Sequence, residues 1–438
     1  MLAHTRILQL DVLGSFDFYT QIVSVDAVES TEFDQLMREV FSDHPGQPFS
    51  MEQFQRYERV LPLLAHELTH FVDCTATVWG LNHLSLLDNA FRAMRLGEEK
   101  NFHFLKALHD HIRTLRLPAY YTEQGPATNA ARPWGYRVSL GRRFSAAGHI
   151  NNNTSITFCR FMTAKGELLV RSPLSPVSLL ETSAMAQELL LRNELLNRLK
   201  PEDRLIESGE FSRSTMQYLY RRDLTEYSVC AHLLANQQQL VDALSTFMLS
   251  SVVARWVLNA PPRAYARVSK HAPLGRLLGT TEKHPFVVAL RDGIRSGDLG
   301  AMYYAMVTAM PPDAVQQLPT VHTAMENAMA ALALEPSAVI DWRAEVLDKI
   351  DERLRRSPSQ VIRSLAAAGI RNASQLPLFP IKLPFAQLDL PKVLFGDYEY
   401  RHTMGNAALS LADVDPERGF TELFELERYV AKFAEACV

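Results

Sequence analysis

Residues 61–72, Leu-Pro-Leu-Leu-Ala-His-Glu-Leu-Thr-His-Phe-Val, set two histidines and a glutamate inside an otherwise apolar run. No other stretch constrains the fold as tightly. A run this apolar belongs in a protein interior, where imidazole and carboxylate groups persist when they are paired or hold a metal. At 3.6 residues per turn, His66 and His70 fall one above the other on one helix face, so both rings reach a single tetrahedral zinc at about 2.0–2.1 Å. Glu67 stands beside that pair. Zinc with one position left for water brings that water's pKa to about 7, and Glu67 is placed to take its proton and later hand it to a leaving amine.

The rest of the composition narrows the class. With 438 residues, 47% apolar and 21% charged, the chain is long enough for two or three domain-sized units with a sizeable core. A net charge of −4 and a pI near 6.4 give no electrostatic case for nucleic acid or an anionic membrane as partner. Short basic groups such as Arg142-Arg143 and Arg353, Arg355 and Arg356 read as solvated faces. The opening residues, Met1 to Arg6, lack a basic segment followed by an apolar one, so no signal peptide is expected. The most apolar later stretch, Phe247 to Leu258, contains Arg255 and is too short to span a bilayer, which makes it a buried helix. Cys74, Cys159, Cys230 and Cys437 form no C-x-x-C pair, so neither a disulfide framework nor a thiolate metal site is expected, and the reducing cytoplasm is the expected location. Buried cysteines such as Cys74 and Cys230 ordinarily act as small hydrophobes.

Along the chain, residues 5–13 and 16–23 have β character and meet at Gly14-Ser15, a pair suited to a tight hairpin. A helix is expected from Ser30 to about Phe41, then a loop around residues 45–48, then the histidine-bearing helix, for which Pro62 is either the first residue or a kink. Helices continue to about Leu117, and residues 118–148 read as a long irregular connection able to carry binding groups. Residues 155–162 and 167–171 make a second hairpin, and Ser175-Pro176 is the cap and first residue of a helix reaching about Leu199. Further helices are expected over about 213–259 and most of 280–370, with a break at Pro261-Pro262 and a proline-rich arm at 373–395. The expected fold is α+β and predominantly α-helical. It has a catalytic core with small β-hairpins over residues 1–260 and a helical C-terminal region over 261–438.

Two histidines leave a metal short of ligands. The short-spacer arrangement, with a glycine turn three residues after the second histidine and a third ligand beyond it, is excluded because Asp73 and Ala76 occupy those positions. Asp73 shares the helix face of the histidines, but residues seven apart on a straight helix are separated by about 10.5 Å, too far for one zinc to bind both. It is better read as a hydrogen-bond partner behind the ligands or an ordinary polar residue. A glutamate on a later helix is the remaining source. Glu181 comes first, because the small neighbours in Glu-Thr-Ser-Ala allow its helix to come close. Glu226, in Leu-Thr-Glu-Tyr-Ser, is its rival, and Glu188 a more distant choice.

The stretch from His66, His-Glu-Leu-Thr-His-Phe-Val-Asp-Cys-Thr-Ala-Thr-Val-Trp-Gly-Leu, with Leu-Leu-Glu-Thr-Ser-Ala about a hundred residues later, resembles bacterial and phage-borne zincin-like metallopeptidases of the gluzincin type. The resemblance covers two short windows. It implies a zincin-like catalytic core, Zn2+ as cofactor, His66, His70 and Glu181 as ligands, and Glu67 as the general base. The E-x-x-x-D extension of thermolysin-like enzymes is absent, since Met185 and Cys230 follow Glu181 and Glu226 by four, and Asn89 stands where the aminopeptidase spacing would put its glutamate. Such enzymes also need a donor for the developing oxyanion, for which Tyr227 is the first candidate and His232 and Tyr220 follow. In zinc peptidases an edge strand beside the zinc helix commonly holds the substrate backbone. The function expected is zinc-dependent hydrolysis of a peptide bond in a protein or peptide substrate. The alternative is a zincin-fold binding or regulatory protein, such as a toxin or defence component whose cleft opens when a regulatory protein partner engages it.

Overall fold

In the computed structural model, which describes residues 13–42, 47–126, 132–144, 149–311, 321–404 and 416–437, the apolar run around His66 lies inside one long helix. Strands β1 (Ser15–Phe16) and β2 (Val23–Val25) precede helices α1 (Ser30–Ser42), α2 (Met51–Ala76), α3 (Val78–Leu96) and α4 (His103–Leu115). Four strands follow: β3 (Glu123–Gln124), β4 (Gly135–Phe144), β5 (Ile150–Met162) and β6 (Leu168–Pro173). The helical remainder starts with α5 (Pro176–Leu196), α6 (Pro201–Leu219), α7 (Thr225–Gln238), α8 (Ala243–Asn259), α9 (Pro262–His271) and α10 (Leu274–Leu277). It continues with α11 (Pro285–Arg295), α12 (Leu299–Ala309), α13 (Val321–Ala331), α14 (Pro336–Leu354) and α15 (Gln360–Gln375). Strands β7 (Val393–Phe395) and β8 (Tyr400–Arg401) and helix α16 (Pro416–Ala436) close the chain. With 65% helix and 11% strand the fold is α+β and mostly helical, as the sequence pattern implies. Among the described residues, no single helix is long and apolar enough to cross a membrane.

The chain forms two compact units, neither of them a contiguous segment. The first comprises Met1–Arg113, Ala184–Thr215 and Leu347–Val438. Its core is α2, which is buried almost without interruption from Val60 to Ala76. The helix starts at a capping box: Ser50 Oγ accepts from the Gln53 amide at 3.2 Å, and Gln53 Oε1 accepts from the Ser50 amide at 2.9 Å. Pro62 lies inside the helix rather than at its start, and takes one N–H out of the ladder a turn before His66. Helix α15 packs on the far end of α2, where a Cβ on Gly369 would stand 2.0 Å from the Thr75 carbonyl oxygen, so only glycine permits this approach. A four-stranded sheet, order β1-β2-β7-β8, completes the unit, with β1 antiparallel and β7 parallel to β2.

The second unit comprises Thr114–Ser183 and Met216–Val346. Its sheet, order β3-β6-β5-β4, is antiparallel throughout. Helix α8 is buried along its length, as its apolar sequence requires. Tyr303 of α12 bonds Ser250 Oγ at 2.7 Å and donates to the Cys230 carbonyl at 3.0 Å, which satisfies a polar group inside this core.

Three local expectations change. Residues 16–23 are not one strand, because Asp17 Oδ1 accepts from the Tyr19 and Thr20 amides at 3.0 and 2.8 Å and turns the chain, with Gln21 at φ 59. The hairpin therefore pairs β1 with β2, and residues 5–12 of the expected first strand lie outside the described residues. The connection 118–148 contains the ten-residue strand β4, paired from Gly135↔Met162 to Phe144↔Ile150. Its partly exposed, arginine-bearing edge position hid the alternation that marks a strand. The proline-rich arm ends in β7, whose three residues pair with β2 across a long sequence separation. The hairpin β5–β6 and the start of α5 at Ser175-Pro176 fall where expected, with Ser175 Oγ accepting from the Ser178 amide at 3.3 Å.

Candidate metal centre

Helix α2 presents His66 and His70 one turn apart, with ring centroids 4.9 Å from each other. Glu181, in the second turn of α5, brings its carboxylate to them. One ligand atom from each of His66, His70 and Glu181 lies within 4.8 Å of the others, and all three residues are buried. This group can hold a metal ion. Two imidazole nitrogens and a carboxylate oxygen form a donor set suited to a divalent transition metal.

The surroundings suit the two imidazoles to a ligand role. Burial, and then the neighbouring His66, push His70 well below the usual imidazole range, which favours the neutral ring, the form that can act as a ligand. His66 is oriented from behind, for its Nδ1 lies 2.8 Å from Glu188 Oε2. With Nδ1–H donated to that carboxylate, Nε2 is the ring's remaining donor atom. Glu188 and Glu181 are seven residues apart on α5, about two turns, so one helix face delivers both a ligand and the support of another ligand. Glu67 is 1% exposed and lies against the chain at Gly14. A Cβ at Gly14 would stand 3.2 Å from Glu67 Cγ and Oε1 and 3.1 Å from Leu63 Cδ1. The ring of Phe16, in β1, lies 6.2 Å from that of His70.

The rival carboxylate is engaged elsewhere. Glu226 accepts from Ser175 Oγ at 3.1 Å and faces Arg116 Nε at 3.5 Å. Burial raises its pKa against the pull of Arg116 and Ser175, with the Glu181 charge adding to the rise. Tyr227 is 7% exposed and close enough to Glu181 to feel its charge. Burial first, then Glu181 and Glu226, hold its phenol protonated, with the Arg116 guanidinium 5.9 Å from the ring centre pulling the other way. The other oxyanion-donor candidates serve an aromatic cluster: His232 stacks on Trp134 at 5.4 Å and bonds the Leu219 carbonyl at 2.7 Å, and Tyr220 packs edge-on against both rings. Asp73 is buried at the end of α2 and does not join the three-residue group. Cys74 and Cys230 are buried thiols whose pKa burial pushes up, Cys230 to about 12, which leaves them protonated and inert.

Two contributions escaped the sequence reading. Glu188 figured there only as a distant choice of ligand, although its two-turn spacing from Glu181 already put both on one face. Gly14 figured as a turn residue, and no local signal marks it as the residue packed on Glu67. No family model, curated protein or solved structure matches this chain.

Proposed function

We propose that the protein is a zinc-dependent metallopeptidase of zincin-like type, acting on a peptide bond in a protein or peptide. One observation carries the reading: a ligand atom from each of His66, His70 and Glu181 lies within 4.8 Å of the others, with Glu67 next to His66 on the same helix. Zinc bound there would supply Lewis acidity toward water and a substrate carbonyl. Glu67, not itself a ligand, takes a proton and returns it to the leaving amine. Tyr227, kept protonated, is the donor for oxygen charge developing near Glu181. Glu188 holds His66 through Nδ1–H. A cytoplasmic location fits the reduced thiols of Cys74, Cys159, Cys230 and Cys437.

A second reading, a zincin-fold regulatory or defence protein switched on by a partner, draws on the burial of the whole centre. His66, Glu67, His70 and Glu181 are each at most 1% exposed.

Elemental analysis of the purified chain should find about one zinc per molecule, and none after His66→Ala with His70→Ala. Glu67→Gln should keep the zinc and cleave labelled casein at least about 100-fold more slowly. A zinc-free wild-type chain would end both readings. Undiminished cleavage by Glu67→Gln would end the assignment of the base.

A further inference from the structure

The geometry points to a self-closed resting state, in which the short strap Gly14–Phe16 lies across the metal centre and must lift before a substrate reaches it. This inference rests on the metal-centre reading above and adds a regulation to it.

Three observations carry it. First, a Cβ at Gly14 would stand only 3.1–3.2 Å from Leu63 Cδ1 and from Glu67 Cγ and Oε1, so the strap runs close beside the base. Second, Phe16 is fully buried with its ring against His70, so the strap covers a ligand as well as the base. Third, with all four chemical residues at most 1% exposed, no substrate carbonyl can come to Glu67 and the ligands in this arrangement.

The strap is held in a way that allows release. Among the described residues, strand β1 has two residues at the edge of its sheet and pairs as Ser15↔Ser24 and Phe16↔Val23, with the Ala27 amide donating to the Leu13 carbonyl at 3.2 Å on one side and the Asp17 amide to the Ile22 carbonyl at 3.0 Å on the other. A side-chain bond reinforces it, between Ser15 Oγ and Ser24 Oγ at 2.9 Å. The next anchor is firmer. His83 Nε2–H donates to the Phe18 carbonyl at 2.8 Å, and His111 Nε2–H donates to His83 Nδ1 at 3.1 Å. Trp79 stacks on the His83 ring at 6.0 Å. A short edge pairing of a few bonds next to a fixed anchor is the part of the unit that can open locally while the core stays folded. The Phe18–His83 bond is the natural hinge.

The test uses the full chain loaded with zinc and follows two signals, zinc release to the chelator pyridylazoresorcinol and cleavage of labelled casein. Phe16→Ala, which removes the ring over His70, should speed zinc release at least about tenfold and raise cleavage. The pair Ser15→Cys and Ser24→Cys, oxidised with glutathione disulfide, ties β1 to β2. Release and cleavage should then fall at least about tenfold and recover on reduction with dithiothreitol. If the cysteine pair does not fold or does not cross-link, Phe16→Ala alone decides. Zinc release that follows the strap without any casein cleavage supports the closure and overturns the peptidase reading. Zinc release and cleavage that ignore both changes overturn the closure and leave the peptidase reading standing. A chain that binds no zinc in any form overturns the two together.

Discussion

The hydrogen bond from His66 Nδ1 to Glu188 leaves Nε2 as the nitrogen of that ring able to meet a metal, so a residue outside the His66, His70 and Glu181 group should control metal affinity. Glu188→Gln should weaken zinc binding about 10–100-fold in a competition titration, with secondary structure unchanged. An unchanged affinity would show that His66 is oriented by packing alone. The two candidate glutamates separate cleanly. Glu181→Ala should abolish zinc binding, because it removes one of three donors. Glu226→Ala should leave zinc content at wild-type level, because that carboxylate is occupied by Ser175 and Arg116. Loss of zinc in Glu226→Ala with retention in Glu181→Ala would reverse the assignment.

Helix α2 owes its position to features at its ends as much as to its apolar face. Removing the cap with Ser50→Ala should cost about 1 kcal/mol, read from the denaturant midpoint at constant slope. Gly369→Ala should cost more, about 1–3 kcal/mol, because its methyl group meets the Thr75 backbone rather than a side chain that can swing aside. Helix α12 offers a pH-dependent case. Asp298 caps it, accepting from the Gly300 and Ala301 amides at 2.9 and 3.2 Å, and from Ser155 Oγ at 3.1 Å. Burial nonetheless raises its pKa from 3.8 to about 6. The folded state then holds the proton more tightly than the unfolded chain. The stabilisation is full below about pH 4 and is lost as pH rises through about 6. In Asp298→Asn that slope should vanish from a stability–pH series, while all other titrations persist. A slope that survives the substitution would assign it to another group.

Across the whole molecule, a metal that binds only the folded chain adds its binding energy to folding. Free zinc at 100 times its dissociation constant should stabilise the protein by about 2.7 kcal/mol, and chelation should lower the thermal midpoint accordingly. Glu67→Gln should keep this response. His66→Ala with His70→Ala should lose it. A midpoint indifferent to zinc in the wild-type chain would show that the His66, His70 and Glu181 group holds no zinc at all.

The residues themselves determined whatever depends on near neighbours. An apolar run at helical spacing made residues 61–72 a buried helix, the four-residue separation put His66 and His70 on one face, and Ser175-Pro176 set the start of α5. The mostly helical α+β class followed from the same local periodicities. Tertiary structure decided the rest, because the groups concerned are far apart in sequence and none carries a local mark of its partner. Glu181 and Glu226 look alike in sequence, both on helices among small or apolar neighbours. Only packing brings one to the histidines and gives the other to Arg116. The pairing of β7 with β2 joins segments more than 300 residues apart, so no hairpin signal could announce it. Gly14 reads as a turn in any local window. It comes to lie beside Glu67 only because the pairing of β1 with β2 sets its backbone near α2, an arrangement that no local window shows.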